Sequence, residues 1–160
     1  MGGMSQLYRL WNRTSTIPLV GKRIFSLAFS QKAPYFGSIH PRVTELRPNR
    51  AEVVIRNRRR VHNHIGTVHA IALCNLAELS AGVMTGATIP ADMRWIPKGM
   101  SVEYLKKAVG TMHGIATPEL ATPVPDGGHE WPVRVEVVDS ADEVVFRARV
   151  LMWVSPRKRD

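Results

Sequence analysis

The stretch VHNHIGTVHAIALCNLAELSAGVMT, residues 61–85, decides the fold of this chain. From about Thr67 to Thr85 almost every side chain is apolar or small, which predicts a long helix buried on all faces rather than an amphipathic surface helix. Thr67 is suited to cap the start of this helix, and Gly86 is suited to end it. Glu78 is its only carboxylate. A carboxylate buried in such a helix must be hydrogen-bonded, protonated or used for chemistry.

Composition limits the class of protein. The 160 residues, 44% hydrophobic and 22% charged, fit one globular domain with a real core. The one cysteine, Cys74, excludes an intramolecular disulfide. Because it falls in the apolar helix, we expect a small buried hydrophobe rather than a reactive thiol. We expect no membrane span, because Glu78 and nearby glycines interrupt the longest apolar run.

The formal net charge of +9 suits a polyanionic partner. A solvated basic face is the alternative explanation for each basic run. Nucleic acid is not expected as a partner, because the basic runs lack interleaved aromatic residues or a recognised module.

The first 44 residues contain no acidic residue. Such a composition is also found in organellar transit peptides. However, Leu7, Leu10, Trp11 and Thr14 fall at helical spacing, and a second apolar segment follows at about 24–29. These spacings favour short helices packed on the domain. We therefore predict an N-terminal helical extension over 1–30 and a main domain over 31–156.

Alternation of apolar and polar residues predicts strands on both sides of the helix. The clearest strands are 133–138 and 144–154. Residues 51–61 also alternate well, 42–46 and 93–96 are short candidates, and 101–109 and 111–120 are less regular extended segments. Residues 139–142 are expected to connect a hairpin, and 117–128 to form a loop. One helix between such strands predicts an α+β fold whose antiparallel sheet wraps the helix.

Residues 63–70, NHIGTVHA, and the Glu that follows fifteen residues after Asn63 carry a family resemblance. They resemble hot-dog fold thioesterases of the PaaI type, in particular the DUF4442 branch. Further similar segments are APYFGSI at 33–39, HAIA at 69–72, LAE at 76–78 and YLKKA at 104–108. The resemblance covers roughly residues 30–155. It implies a hot-dog fold, a curved antiparallel sheet wrapped around one central helix, with two subunits paired edge to edge and acyl-CoA bound at their interface.

The resemblance also implies roles for individual residues. Asn63 matches the Asn that orients the substrate or the attacking water, and Glu78 matches the carboxylate that acts as general base or nucleophile. Ala70 occupies the position where many relatives have a Gly whose N–H polarises the thioester carbonyl. The residues implied to position the substrate at this turn are Gly66, His64 and His69.

Distance along the helix limits how one site can form. Glu78 lies about three turns, on the order of 16 Å, from a helix start at Thr67. Either the substrate runs along the helix, or the partner subunit supplies one half of the site, which is the arrangement that the resemblance implies. Asn75 precedes Glu78 by three residues, so we expect it to hydrogen-bond the carboxylate. A Ser or Thr that some relatives supply from the partner would fall near Thr88.

The candidates for binding the phosphates of CoA are Arg58, Arg60, Lys106 and Lys107. On a strand Arg58 and Arg60 would share one face. The histidines around residue 64 lack a matching carboxylate or Cys ligand pattern, so no metal is expected. No cofactor is expected either.

Together these features predict an acyl-CoA thioesterase that works as a cytoplasmic homodimer or dimer of dimers. The alternative is a non-catalytic acyl-CoA or lipid-binding hot-dog protein, which the alanine at position 70 and the missing partner Ser favour. A hydratase is less well supported, because the Asp-x-x-x-x-His arrangement of hot-dog hydratases is not visible.

Overall fold

Three helices, two 3₁₀ segments and six strands form the part of the chain that the computed structural model describes, residues 5–121 and 127–157. The helices are α1 (Gln6–Thr14), α2 (Gly21–Lys32) and α3 (Ala70–Thr88), and the 3₁₀ segments are Pro34–Ile39 and Arg59–Val61. The strands are β1 (Arg42–Arg47), β2 (Arg50–Ile55), β3 (Met93–Tyr104), β4 (Met112–Pro118), β5 (His129–Val138) and β6 (Val144–Pro156).

All strands of the described residues join one antiparallel sheet in the order β1-β2-β4-β5-β6-β3. The sheet curves around α3, which packs against every strand. Fourteen of the 19 residues of α3 are buried, including residues on every side of the helix. This confirms the predicted α+β arrangement, a curved antiparallel sheet around one long central helix.

Close contact between α3 and the sheet depends on Gly114 in β4. A Cβ atom at this position would come within 2.7 Å of Ser80 Oγ and 2.9 Å of Leu76 Cγ. The missing side chain therefore lets α3 lie directly on the middle of the sheet. Leu76 is fully buried there. The buried Ser80 Oγ donates a hydrogen bond to the Leu76 carbonyl at 2.7 Å, so this hydroxyl is not left without a partner at the contact.

The predicted limits of the central helix were wrong at both ends. Thr67 does not cap it; the helix begins at Ala70, and His69 is the N-cap. At the other end the helix continues through Gly86 to Thr88. Gly86 is tolerated inside the helix because tertiary packing outweighs its low propensity.

Two strand predictions also require correction. The second strand ends at Ile55, and residues 59–61 turn in a 3₁₀ segment instead of continuing it. The predicted short strand at 93–96 and the extended segment after it are one strand, β3, which passes Pro97 and Gly99 with a register shift. Proline is compatible with a strand at the edge of a sheet. The hairpin at 139–142 and the strands around it are confirmed.

The N-terminal helices cover the β1 edge of the sheet. Ser26 Oγ of α2 accepts the Val43 N–H at 2.9 Å, and Lys22 Nζ donates to the Thr44 carbonyl at 2.6 Å. Phe25 is fully buried and meets the Trp11 ring edge to face, with centroids 5.1 Å apart. The predicted packing of short helices on the domain is confirmed. A domain boundary near residue 30 stays a prediction.

At the opposite edge of the sheet, β3 pairs with β6 alone among the described strands. Several of its apolar side chains are exposed, among them Ile96, Met100 and Tyr104. A long, apolar, uncovered edge strand is a surface on which another strand can pair.

The central helix is long and apolar enough, by length and composition, to cross a membrane. The expectation that Glu78 and the glycines would disqualify it was therefore wrong. In this fold, 72% of the apolar 18-residue stretch of this helix is buried inside the protein. Its apolar surface is thus explained by the sheet that wraps it.

Candidate active site

Asn63 holds together the short loop that leads into α3. Its Oδ1 accepts the N–H groups of Ile65 and Thr67, each at 3.1 Å, and its Nδ2 donates to Thr67 Oγ1 at 2.7 Å. The Asn63 N–H also donates to the Thr67 carbonyl at 2.8 Å. Asn63 therefore fixes the loop with both ends of its amide. The second N–H of Nδ2 has no hydrogen-bond partner among the described residues.

Gly66 and His64 lie in the same loop. Gly66 has a φ of +80° and donates its N–H to the Asn63 carbonyl at 3.2 Å. A residue with a side chain would be strained in this conformation, so glycine is required for the turn and not for space. His64 is exposed and makes no side-chain hydrogen bond to the described residues. The loop is closed by a bridge between His62 and Val68.

The start of α3 presents free backbone N–H groups. His69 Nδ1 accepts the Ile71 N–H at 3.0 Å, so the proton of a neutral His69 lies on Nε2. The Ala70 N–H, one residue earlier, is the first of the helix and lacks an intrahelical acceptor. It has no hydrogen bond within the described part of the chain. A free N–H at a helix start, with its positive partial charge, suits a developing oxyanion.

Glu78 lies on the one strip of α3 that the sheet leaves partly open. Ile71, at 57% exposure, and half-buried Cys74 precede it on this strip. Their spacing of three and four residues places all three side chains on one face. Glu78 is half-buried, and no described residue hydrogen-bonds its carboxylate. It therefore combines partial desolvation with a free carboxylate, the combination that a general base needs.

Tyr104, at the end of β3, closes one side of this strip. Its hydroxyl lies 3.2 Å from Cys74 Sγ, and its ring is 5.3 Å from the ring of Phe146. The hydrogen bond with Cys74, and secondly partial burial, raise the pKa of Tyr104 above its ordinary value. Cys74 is therefore half-buried and hydrogen-bonded. It packs against the hydrophobic core, but it is less buried than the expected small buried hydrophobe.

Strand β3 runs alongside the helix on either side of Glu78. Tyr104 reaches Cys74, one turn before Glu78, and the Trp95 ring lies against Gly82, one turn after it. Glu78 thus lies between these two contacts along the helix.

A cavity of about 380 Å³ lies beside the first turns of α3. His69, Ile71 and Asn75 line it from the helix, and Ser38 and Arg60 line the opposite side. The predicted hydrogen bond from Asn75 to Glu78 was wrong. Asn75 Nδ2 donates instead to Ser38 Oγ at 3.4 Å, while its Oδ1 is buried and has no partner among the described residues. A buried amide oxygen without a hydrogen-bond partner is costly. Asn75 is therefore a polar group that lines this cavity, although its spacing in the sequence indicated Glu78 as its partner.

The four basic candidates are in different surroundings. Lys106 Nζ forms an ion pair with Glu143 at 2.7 Å, whereas Lys107 is exposed and free of described partners. Arg60 lines the cavity at α3 and donates to His40 Nε2. Arg58 lines a different cavity. The expectation that Arg58 and Arg60 share a strand face was wrong, because the chain turns in a 3₁₀ segment at this point.

The structure brings the loop and helix-start residues together and leaves Glu78 apart from them. Asn63, Gly66, His69 and Ala70 surround the beginning of α3, whereas Glu78 lies eight residues further, about 12 Å along the axis. Thr88, the weak candidate for a partner hydroxyl, is at the far end of α3, where its Oγ1 donates to the Met84 carbonyl at 2.7 Å. No three His, Cys, Asp or Glu side chains meet at metal-binding distance within the described ranges.

Sequence reasoning missed the contacts of Tyr104 and Ser38. Tyr104 is 30 residues from Cys74, and Ser38 is 37 residues from Asn75. No local pattern links residues so far apart. The aromatic residue at the start of the YLKKA segment was visible, but its partner depends on the path of β3.

A curved six-stranded antiparallel sheet wrapped around one central helix is the hot-dog fold. The chain belongs to the DUF4442 family, because residues 21–154 match the model of this family, described as a domain of unknown function.

Solved structures share this fold. The structural genomics protein APC5556 is similar over 94% of this chain and 99% of its own, with 45% identity and a TM-score of 0.80. A probable thioesterase of Pseudomonas aeruginosa, PA5026, is 21% identical over 88% of this chain and 97% of its own, with a TM-score of 0.72. Thioesterase HI1161 of Haemophilus influenzae is 11% identical over 80% and 88%, with a TM-score of 0.69, and shares the fold. No curated protein matches the chain significantly.

Proposed function

We propose that the protein hydrolyses acyl-CoA thioesters at an interface between two copies of the chain. The observation that carries this proposal is the free, half-buried carboxylate of Glu78 on the accessible strip of α3. Glu78 activates a water molecule for attack on the thioester carbonyl, and the Ala70 N–H stabilises the oxyanion that forms. The attacking oxygen bonds to the carbonyl carbon, and the carbon–sulfur bond then breaks to release the acid and the thiol.

One copy cannot provide both groups to the same thioester, because Ala70 and Glu78 of one helix are about 12 Å apart. The uncovered edge of β3 offers the second copy a place to pair. Since β3 contacts α3 through Tyr104 and Trp95 on either side of Glu78, pairing at this strand brings the partner helix toward Glu78. A homodimer is thus part of the mechanism, and a dimer of dimers is compatible with it.

For the CoA phosphates, two of the four basic candidates are better supported. Arg60 lines the cavity at the helix start, and Lys107 follows the end of β3 without an ion pair to the described residues. Lys106 is held by Glu143, and Arg58 faces away from this cavity. We therefore expect substitution of Arg60 or Lys107 to raise KM more than substitution of Lys106 or Arg58.

The test is release of free thiol from short, long and aromatic acyl-CoAs. Glu78→Gln keeps the size of the side chain and removes the base, so we expect kcat to fall by about 10²–10⁴. The control is Glu136→Gln, which makes the same change at a carboxylate paired with Arg147 on strand β5, outside the site. Equal turnover by wild type and Glu78→Gln, measured on any acyl-CoA that is hydrolysed, would remove Glu78 from the mechanism.

A non-catalytic acyl-CoA or lipid-binding function is the second candidate. The hydrogen bonds of the Asn63 side chain favour this candidate. Its Oδ1 accepts two N–H groups of the loop and its Nδ2 donates to Thr67, so one N–H of this side chain is left for a substrate. Saturable acyl-CoA binding by calorimetry, with no thiol release from any chain length, would support this candidate against hydrolysis.

Oligomeric state and location need separate measurements. Light scattering during gel filtration distinguishes a monomer from a dimer and a tetramer. Met100→Lys places a charge on the exposed edge of β3, so we expect it to shift the mass to that of one chain and to abolish turnover. The cytoplasmic location is a prediction that cell fractionation tests.

A further inference from the structure

A second and larger cavity, of about 850 Å³, lies away from α3. Helix α2 forms one wall of it, and the other wall is the side of β1, β2 and β4 that faces away from α3. Arg42, Val54 and His113 form a row across these three strands, because Arg42 pairs with Val54 and Val54 with His113. The volume is within the range of about 300–1,000 Å³ that small-molecule sites occupy.

The lining of this cavity is strongly basic. It includes four arginines and two histidines and no carboxylate among the described residues: Arg23, Arg42, Arg56, Arg58, His40 and His113. Of the acids nearby, Glu52 bonds to His113 at 2.8 Å, and Glu45 is held by Arg47 and Arg50 at 2.8 and 3.1 Å. None of the four arginines has an ion pair with a described residue. The cavity thus concentrates positive charge that the fold does not neutralise.

Arg42 is the most informative of these residues. Its Nε is buried and has no hydrogen-bond partner in the described structure. Two exposed arginines elsewhere on the sheet do have acidic partners, Arg147 with Glu136 at 3.2 Å and Arg149 with Glu119 at 2.8 Å. A buried guanidinium donor without an acceptor is costly, which indicates that the missing acceptor of Arg42 comes from a bound molecule.

We propose that this cavity binds the phosphate group of a ligand, with Arg42 as its central contact. Guanidinium groups match the geometry of phosphate oxygens and donate charge-assisted hydrogen bonds to them. Leu27, Val54 and Pro41 supply apolar wall beside the arginines, which accommodates an organic part of the ligand. Glu78, Ala70 and Asn63 do not line this cavity, so its phosphate binding can be tested independently of the proposed hydrolysis.

The phosphate can belong to a small soluble molecule or to a lipid headgroup, and two probes distinguish them. Calorimetric titration with inorganic pyrophosphate tests the first source. Cosedimentation with vesicles of phosphatidylglycerol and phosphatidylcholine tests the second. Each probe is applied to the wild-type protein, to Arg42→Gln and to Arg56→Gln. The matched control is Arg134→Gln, which removes the same charge from an exposed position of β5 outside the cavity.

We expect Arg42→Gln and Arg56→Gln each to weaken binding by about tenfold or more, and Arg134→Gln to leave it unchanged. Loss of pyrophosphate binding in this pattern assigns the site to a soluble phosphate compound. The same pattern with vesicles alone assigns it to a headgroup. The proposal is overturned if neither probe binds wild-type protein, or if the control weakens binding as much as the cavity variants do. Arg56 is exposed, so its variant remains informative if Arg42→Gln fails to fold.

Discussion

The contact between α3 and β4 allows a quantitative prediction, through the substitution Gly114→Ala. The new Cβ would lie 2.7 Å from Ser80 Oγ and 2.9 Å from Leu76 Cγ, both closer than ordinary van der Waals contact. Ser80 and Leu76 are fully buried, so neither can move into solvent. Overpacking of this kind costs about 1–3 kcal/mol of unfolding free energy. For a chain of this length the corresponding fall in Tm is roughly 2–12 °C.

A matched control separates crowding from the general effect of replacing glycine. Gly99→Ala makes the same change in β3, where an added Cβ has no neighbour within 4 Å. Replacing glycine by alanine also stabilises by about 0.4–1 kcal/mol through the unfolded state, and this effect is common to both variants. The difference between the two unfolding free energies, measured in urea, is therefore the cost of crowding.

A second variant identifies the crowded atom. Ser80→Ala removes Oγ and so relieves the closer of the two contacts. We expect the double variant Gly114→Ala with Ser80→Ala to be less destabilised than the sum of the two single variants, by about 0.5 kcal/mol or more. If Gly114→Ala is as stable as Gly99→Ala, the helix is not held against β4 in the way described.

Other contacts give further predictions. His69→Ala removes the cap of α3 and should cost about 0.5–2 kcal/mol in urea unfolding, whereas His69→Asn retains an acceptor and should cost less; equal losses would contradict the capping role. Ser26→Ala leaves the buried Val43 N–H without an acceptor and should cost about 1–3 kcal/mol; an unchanged urea midpoint would show that this bond contributes nothing. Tyr104 should ionise at higher pH than a free tyrosine in an absorbance titration at alkaline pH, and Cys74→Ala should lower its pKa toward the ordinary value. Because the folded-state pKa is raised, the stabilisation from Tyr104 is complete below the unfolded pKa and is lost as the pH rises through the folded value; a titration identical in both proteins would exclude the Cys74 bond as the cause.

The central helix and the type of sheet were predictable because their signals are local. An apolar run around Glu78 can only be satisfied by burial on all sides, and alternation in 133–138 marks strands whatever their neighbours. The start of α3 was less predictable. Thr67 has the right side chain for a cap, but Asn63 uses its hydroxyl and backbone for the loop, so the capping position passes to His69.

The candidate site was predictable as a set of residue types but not as a geometry. Nothing near Asn75 in the sequence indicates that it would turn to Ser38 instead of Glu78, since that choice depends on where the 3₁₀ segment Pro34–Ile39 lies. The basic cavity was invisible for a similar reason. Arg23, Arg42 and Arg56 are spread over three elements, and only the packing of α2 against the sheet brings them to one cavity.

The two edges of the sheet are treated differently, and this limits how copies of the chain can associate. Helix α2 occupies the β1 edge with Ser26 and Lys22, whereas the β3 edge is left uncovered. A molecule with two uncovered edge strands would add one copy after another and form a filament. With one uncovered edge among the described strands, strand addition stops after the first partner has paired. The N-terminal helices therefore prevent strand addition at the β1 edge. We expect their removal to allow further copies to pair there.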